Sequence, residues 1–188
     1  MEQAYWVIGR GTGITALALF TLSIALGIVT RSGRPVLTLP RFVVVDVHRN
    51  AALLATTFLL VHIGTLFMDP YAQLRLIDFV VPFLGAYKPL WLGLGTLAFD
   101  LVLAIVVTSL LRHRLGLRTF RVVHWVTYAM WPVAFAHALG NGTDSAHRWF
   151  LLFAGLCAAT VAAAVTVRLR ADFAEYANRR AEPMGRPA

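Results

Sequence analysis

The chain has 188 residues, 59% of them hydrophobic and only 14% charged, with a formal net charge of +8. Soluble domains carry about 45–50% apolar and about 25% charged residues, so this chain is too apolar for water and far too apolar for disorder. Of its 17 basic residues only Lys88 is a lysine, and the arginines flank long apolar runs instead of sharing a polar face. That pattern excludes a nucleic-acid binder and fits a lipid bilayer.

A helix needs about 20 mostly apolar residues to cross the hydrocarbon core. Five segments qualify, over residues 11–30, 43–68, 90–111, 120–139 and 149–167. The first is too long for a signal-peptide core and no A-x-A site follows it, so it reads as a retained helix. Between the second and third spans, Tyr71–Tyr87 carries Leu74, Ile77, Val80 and Val81 at helical spacing among Gln73, Arg75 and Asp78. It is expected to lie in the interface as a short amphipathic helix, ended by Pro82 or Gly85, with a substrate lid as the sharper alternative. The expected fold is an all-α integral membrane protein, a bundle of five transmembrane helices. Residues 1–170 form a single membrane domain and 171–188 a short polar tail.

The arginines orient the bundle. Arg31, Arg34, Arg41, Arg49, Arg112, Arg114, Arg118, Arg121, Arg168, Arg170, Arg179, Arg180 and Arg186 fall on one side, thirteen in all. The other side has Arg10, Arg75, Lys88 and Arg148, which is four. The positive-inside rule then puts the N-terminus outside and the C-terminus in the cytoplasm, with the chain in the cytoplasmic membrane. The single Cys157 can form no internal disulfide.

Six histidines are present, and His113 and His147 sit in connections where they need no explanation. His48 and His62 lie 14 apart on the second span, and His124 and His137 lie 13 apart on the fourth. Ionisable groups inside a membrane are costly, and one buried histidine can merely join two helices. Two pairs at nearly equal spacing ask for more. Neutral imidazole is an iron ligand, and haem is held by axial histidines. At 1.5 Å per residue the paired residues stand about 20 Å apart along each helix. His48 and His124 then share the inner level, and His62 and His137 the outer one. Each level offers imidazoles from facing helices to one haem.

Fourteen residues leave His48 and His62 on one face, but thirteen leave His124 and His137 about 140° apart on an ideal helix. A kink at Pro132 is the expected remedy. Zinc or di-iron sites need ligands a turn apart or bridging carboxylates, and no glutamate lies in any span. A haem-free scaffold or transporter whose histidines only link helices stays open as the alternative.

These residues resemble the ferric reductase-like transmembrane domain of NADPH oxidases, ferric reductases and the haem subunit of periplasmic methionine sulfoxide reductase systems. The resemblance runs from about Arg10 to Arg170. It rests on His48-Arg-Asn with His62 fourteen later, Pro-Leu-Trp at 89–91 followed by Leu-Gly-Leu-Gly, Leu-Arg-His-Arg at 111–114, Val-His-Trp-Val-Thr-Tyr at 123–128, and His137. It implies two b-type haems on the four histidines, passing electrons from a cytoplasmic flavin, NAD(P)H or quinol donor to an outer acceptor. Larger members have a sixth helix and a flavin and nicotinamide domain. Gly9, Gly11 and Gly13 make no dinucleotide fingerprint, since no strand precedes them. No flavin or nicotinamide site is therefore expected in this chain. The donor is expected to be a separate flavoprotein or quinol, and the acceptor a ferric chelate or exported reductase.

Four further features carry two readings each. Arg49, beside His48, either faces a haem propionate or anchors the chain at the headgroups. Asp100, in mid-span, either relays protons or is neutral and bonded to Thr96, the plainer reading. Trp131, midway between His124 and His137, is an electron bridge if it faces the bundle and a lipid contact if it does not. Asn141, Thr143 and Asp144, with Arg10 on the same side, read first as turn chemistry and second as an acceptor site.

Overall fold

A computed structural model describes residues 2–31, 40–70, 72 and 74–170. The expectations for Arg34, Tyr71, Gln73 and the polar tail 171–188, with Arg179, Arg180 and Arg186, lie outside the described residues. Among these residues the chain is all-helical: α1 (Glu2–Arg31), α2 (Arg41–Met68), a 3-10 helix (Leu76–Phe79), α3 (Pro89–Leu110), α4 (Arg112–His124), α5 (Thr127–Asn141) and α6 (Arg148–Arg170).

Four helices are long and apolar enough to cross a membrane, over Ala4–Thr30, Phe42–Met68, Pro89–Leu110 and Arg148–Leu169. They contain the first, second and fifth expected spans, and all but the last residue of the third. The fourth expected span is divided. α4 stops at His124, and α5 restarts at Thr127 with Pro132 inside it. The 15 residues of α5 cover about 22 Å, short of a roughly 30 Å hydrocarbon core. The junction is wound tightly: the amides of Val126, Tyr128 and Ala129 bond carbonyls three residues back, at 2.9, 3.1 and 2.9 Å. Each such residue turns about 20° further than α-helical backbone. The sequence has no glycine or proline there to announce it.

α1 is the central helix. It packs along α2 and also against α5 and α6, while α3 packs against α5 and α4. Ala16, Leu17, Phe20, Ile24 and Ile28 of α1 meet Ala55, Val102, Met130, Trp131 and Cys157 in the core. Side chains such as Leu152 (76% exposed) and Leu156 (67% exposed) turn away from it on α6. Such a surface is stable against lipid and not against water.

The amphipathic helix expected across Tyr71–Tyr87 is reduced to four residues. Asp78 accepts bonds from the Arg75 amide and guanidinium at 2.9 Å each, which closes the turn on itself. The segment then folds onto α3. Thr96 Oγ1 donates to the Asp78 carbonyl at 2.6 Å, and Gly93 lies so close to the Phe83 backbone that no side chain fits between them.

Candidate functional site: two histidine-lined cavities

The four histidines at positions 48, 62, 124 and 137 line two cavities, two in each. His48 and His124 line the first, together with Ser23, Gly27, Arg49 and Arg112. His62 and His137 line the second, with Arg10, Gly13, Gly95 and Asn141. Each is open at its mouth and leaves a cavity volume of about 320 and 240 Å³ respectively. Phe20 of α1 lines both. Among the described residues no three His, Cys, Asp or Glu side chains converge as a metal cluster.

In the first cavity the rings of His48 and His124 have centres 6.3 Å apart and planes at 83°. Phe120 packs beside His124 with ring centres 5.2 Å apart. Three of the four imidazoles are oriented by a common device. His48 Nδ1 lies 2.8 Å from the Ser23 carbonyl, His62 Nδ1 lies 2.6 Å from the Gly9 carbonyl, and His137 Nδ1 lies 2.7 Å from the Trp91 carbonyl. A carbonyl oxygen can only accept, so each Nδ1 carries the proton. In the neutral ring Nε2 is then left as the lone-pair donor, the arrangement found behind metal-bound histidines.

Four residues after each carbonyl comes a glycine. A methyl on Gly27 would sit 3.1 Å from His48 Cε1, one on Gly13 2.9 Å from His62 Nδ1, and one on Gly95 2.6 Å from His137 Cε1. The reason is helical geometry, because residue i+4 stands over the carbonyl of residue i. Removing its side chain opens that carbonyl to a second hydrogen bond and gives the ring room. On α1 the device occurs twice, at Gly9/Gly13 and Ser23/Gly27, 14 residues apart like His48 and His62 on the facing helix. Reading histidines alone missed these glycines. The matching 14-residue interval was the signal that could have found them.

Other expected residues take definite places. Arg49 lines the first cavity while pairing with Asp46 at 3.2 Å, both side chains well exposed. Trp131 is buried, not turned to lipid; its Nε1–H donates to Thr21 Oγ1 at 2.9 Å and its ring stacks on Phe135. It lines neither cavity. Thr96 is not the partner of Asp100, since its hydroxyl is bonded to the Asp78 carbonyl. Asn141, Thr143 and Asp144 line the second cavity, so they do more than turn the chain. Buried Asp144 pairs with Arg10, and His147 Nδ1 stands 3.7 Å from its carboxylate. Asn141 Oδ1 is buried with no hydrogen-bond partner among the described residues.

The family model for the ferric reductase like transmembrane component matches residues 12–135 of the chain. The match includes His48, His62 and His124 and stops just before His137. No curated protein and no solved structure gave a match.

Proposed function

Because the chain belongs to the ferric reductase like transmembrane component family, we propose that it carries electrons across a membrane through two b-type haems held by its paired histidines. The observation that carries this reading is the sorting of four imidazoles into two cavities, three of them with Nδ1 already committed to a carbonyl. The residues fit such a group. The rings of His48 and His124, with centres 6.3 Å apart, would together hold the iron of one such group. The glycines clear space for the rings.

His48 and His124 would hold one haem and His62 and His137 the other. A bound haem supplies a one-electron iron couple. The Ser23, Gly9 and Trp91 carbonyls keep the proton on Nδ1, fix the ring plane and raise the basicity of Nε2. Phe20 fills the space between the cavities, and Trp131, anchored on Thr21, stiffens α5 against α1 at the same depth. Arg49 and Arg112 place positive charge at the first cavity, where the carboxylates of a haem would need it.

In this reading α5 and the end of α4 together form the fourth of five crossings, and the haem-binding domain occupies residues 1–170. The arginine balance puts the first cavity on the cytoplasmic side of the cell membrane. Electrons enter there from a separate flavoprotein or quinol and leave by the second cavity to a ferric chelate or exported reductase. The chain then acts as an oxidoreductase or as the membrane subunit of one.

The same Nδ1 bonds tie α2 to α1 and α5 to α3, which favours a second reading, a haem-free scaffold. Alanine variants separate the two. His48→Ala and His124→Ala are expected to lose one haem, and His62→Ala and His137→Ala the other, in reduced-minus-oxidised spectra. Equal haem content in all four variants and the parent chain contradicts the proposal.

A further inference from the structure

Asp100 sits halfway along α3, a helix long and apolar enough to cross the membrane, and it lines neither cavity. The cavity-lining side of α3 is marked by Ala98, Phe99, Val102 and Ile105. Asp100 and Val102 are two positions apart, which puts Asp100 about 160° around the helix from Val102. Among the described residues, no hydrogen bond or ion pair reaches its carboxyl group. The donor one turn away, Thr96, is spent on the Asp78 carbonyl. Asp100 therefore serves neither cavity, and nothing described in this chain satisfies it.

The surface around it is divided. Toward the 3-10 helix, this side of α3 is covered by the chain itself, through Phe83 on Gly93 and Asp78 on Thr96. Beyond Asp100 the cover ends, and Leu103 (49% exposed) and Val107 (41% exposed) stand open beside Ala104. Ala104 and Thr108 are small residues four apart on the same side, and the Thr108 hydroxyl is turned in to the Ala104 carbonyl at 2.7 Å. Small residues at that spacing let a second helix backbone come close.

We infer that this face of α3 docks a transmembrane helix of another protein, one that carries a lysine or arginine near its midpoint opposite Asp100. An acidic group at mid-membrane depth is costly until it is paired, and a cationic side chain at the same depth is its complement. A second copy of this chain does not supply one. None of its described arginines, nor its lysine, lies near the midpoint of a membrane-long helix, the deepest being Arg10 and Arg49, the ninth residues of α1 and α2, and the second copy would set Asp100 against a like charge. The inference does not depend on the haem reading.

The test uses the purified full chain, donor-labelled, in phosphatidylcholine vesicles with acceptor-labelled polyleucine helices. One helix carries a single central lysine and the other has leucine there. Energy transfer is expected to show about tenfold stronger association with the lysine helix. Asp100→Asn should bring that preference down to the polyleucine level, and Leu103→Trp should block docking while leaving the carboxylate in place. Helical circular dichroism checks that both variants fold. Equal association of the two probes, association of neither, or a lysine preference that survives Asp100→Asn overturns the inference. Energy transfer between labelled copies of the chain that excludes both probes also overturns it, in favour of a homodimer face.

Discussion

A methyl group at residue 95 would lie 2.6 Å from His137 Cε1, while nothing stands within 4 Å of one at Gly64. Single atoms therefore decide whether the second cavity keeps its ring in place. Gly95→Ala is expected to push the imidazole off the Trp91 carbonyl at a cost of about 1–3 kcal/mol, the usual range for overpacking. The haem bound there should be lost while the helices remain, and Gly64→Ala should behave like the parent chain. Retained haem in Gly95→Ala would show that the glycine cradle is incidental. Asp78 gives a second residue-scale test, outside the membrane. Its side-chain bond with Arg75, then the Arg75 amide, holds its carboxyl below the usual carboxylate value. A lowered folded value contributes stability in full above the unfolded value of about 3.9 and loses it as pH falls through the lowered one. A spin label at Val81 should therefore loosen only in acid, and in Asp78→Asn it should be mobile at every pH. A transition near neutral pH contradicts this.

Elements show how far the letters could be read. α1, α2, α3 and α6 were legible because long apolar runs have few alternatives to a membrane helix. The histidine intervals set rings at matching depths, and His48 shares a cavity with His124 and His62 with His137. Two things were not legible. The break at Trp125–Val126 has no proline or glycine to mark it, so the phase conflict between His124 and His137 was assigned to Pro132 alone. The junction's tight turn supplies rotation that the sequence did not advertise. Asp78 misled in the opposite way, since helical spacing of Leu74, Ile77 and Val81 concealed a carboxylate that folds back on Arg75. The carbonyl acceptors have no letter at all, although the glycines that uncover them do. The junction makes its own prediction. One alanine inserted between Trp125 and Val126 rotates α5 by about 100° relative to α4. Its packing on α3 through Trp91 and Gly140 resists that rotation. Loss of the haem on His137 with retention of the one on His124 is expected in the difference spectrum. A variant with both haems intact would mean that the junction does not set the phase.

At the scale of the molecule, three distributions coincide. Apolar side chains face outward along the long helices, arginines flank the apolar runs in the sequence, and two cavities are both lined by Phe20. Together they fit the proposed conduit across a low-dielectric layer. The central claim is that each cavity holds one haem, and counting haem tests it most directly. The full chain, expressed with ample haem, is purified, and its reduced-minus-oxidised spectrum is recorded beside an extracted-haem assay per chain. Two b-type haems per chain are expected. A colourless protein with no redox-dependent absorbance, or a chain that binds only one haem, contradicts the claim.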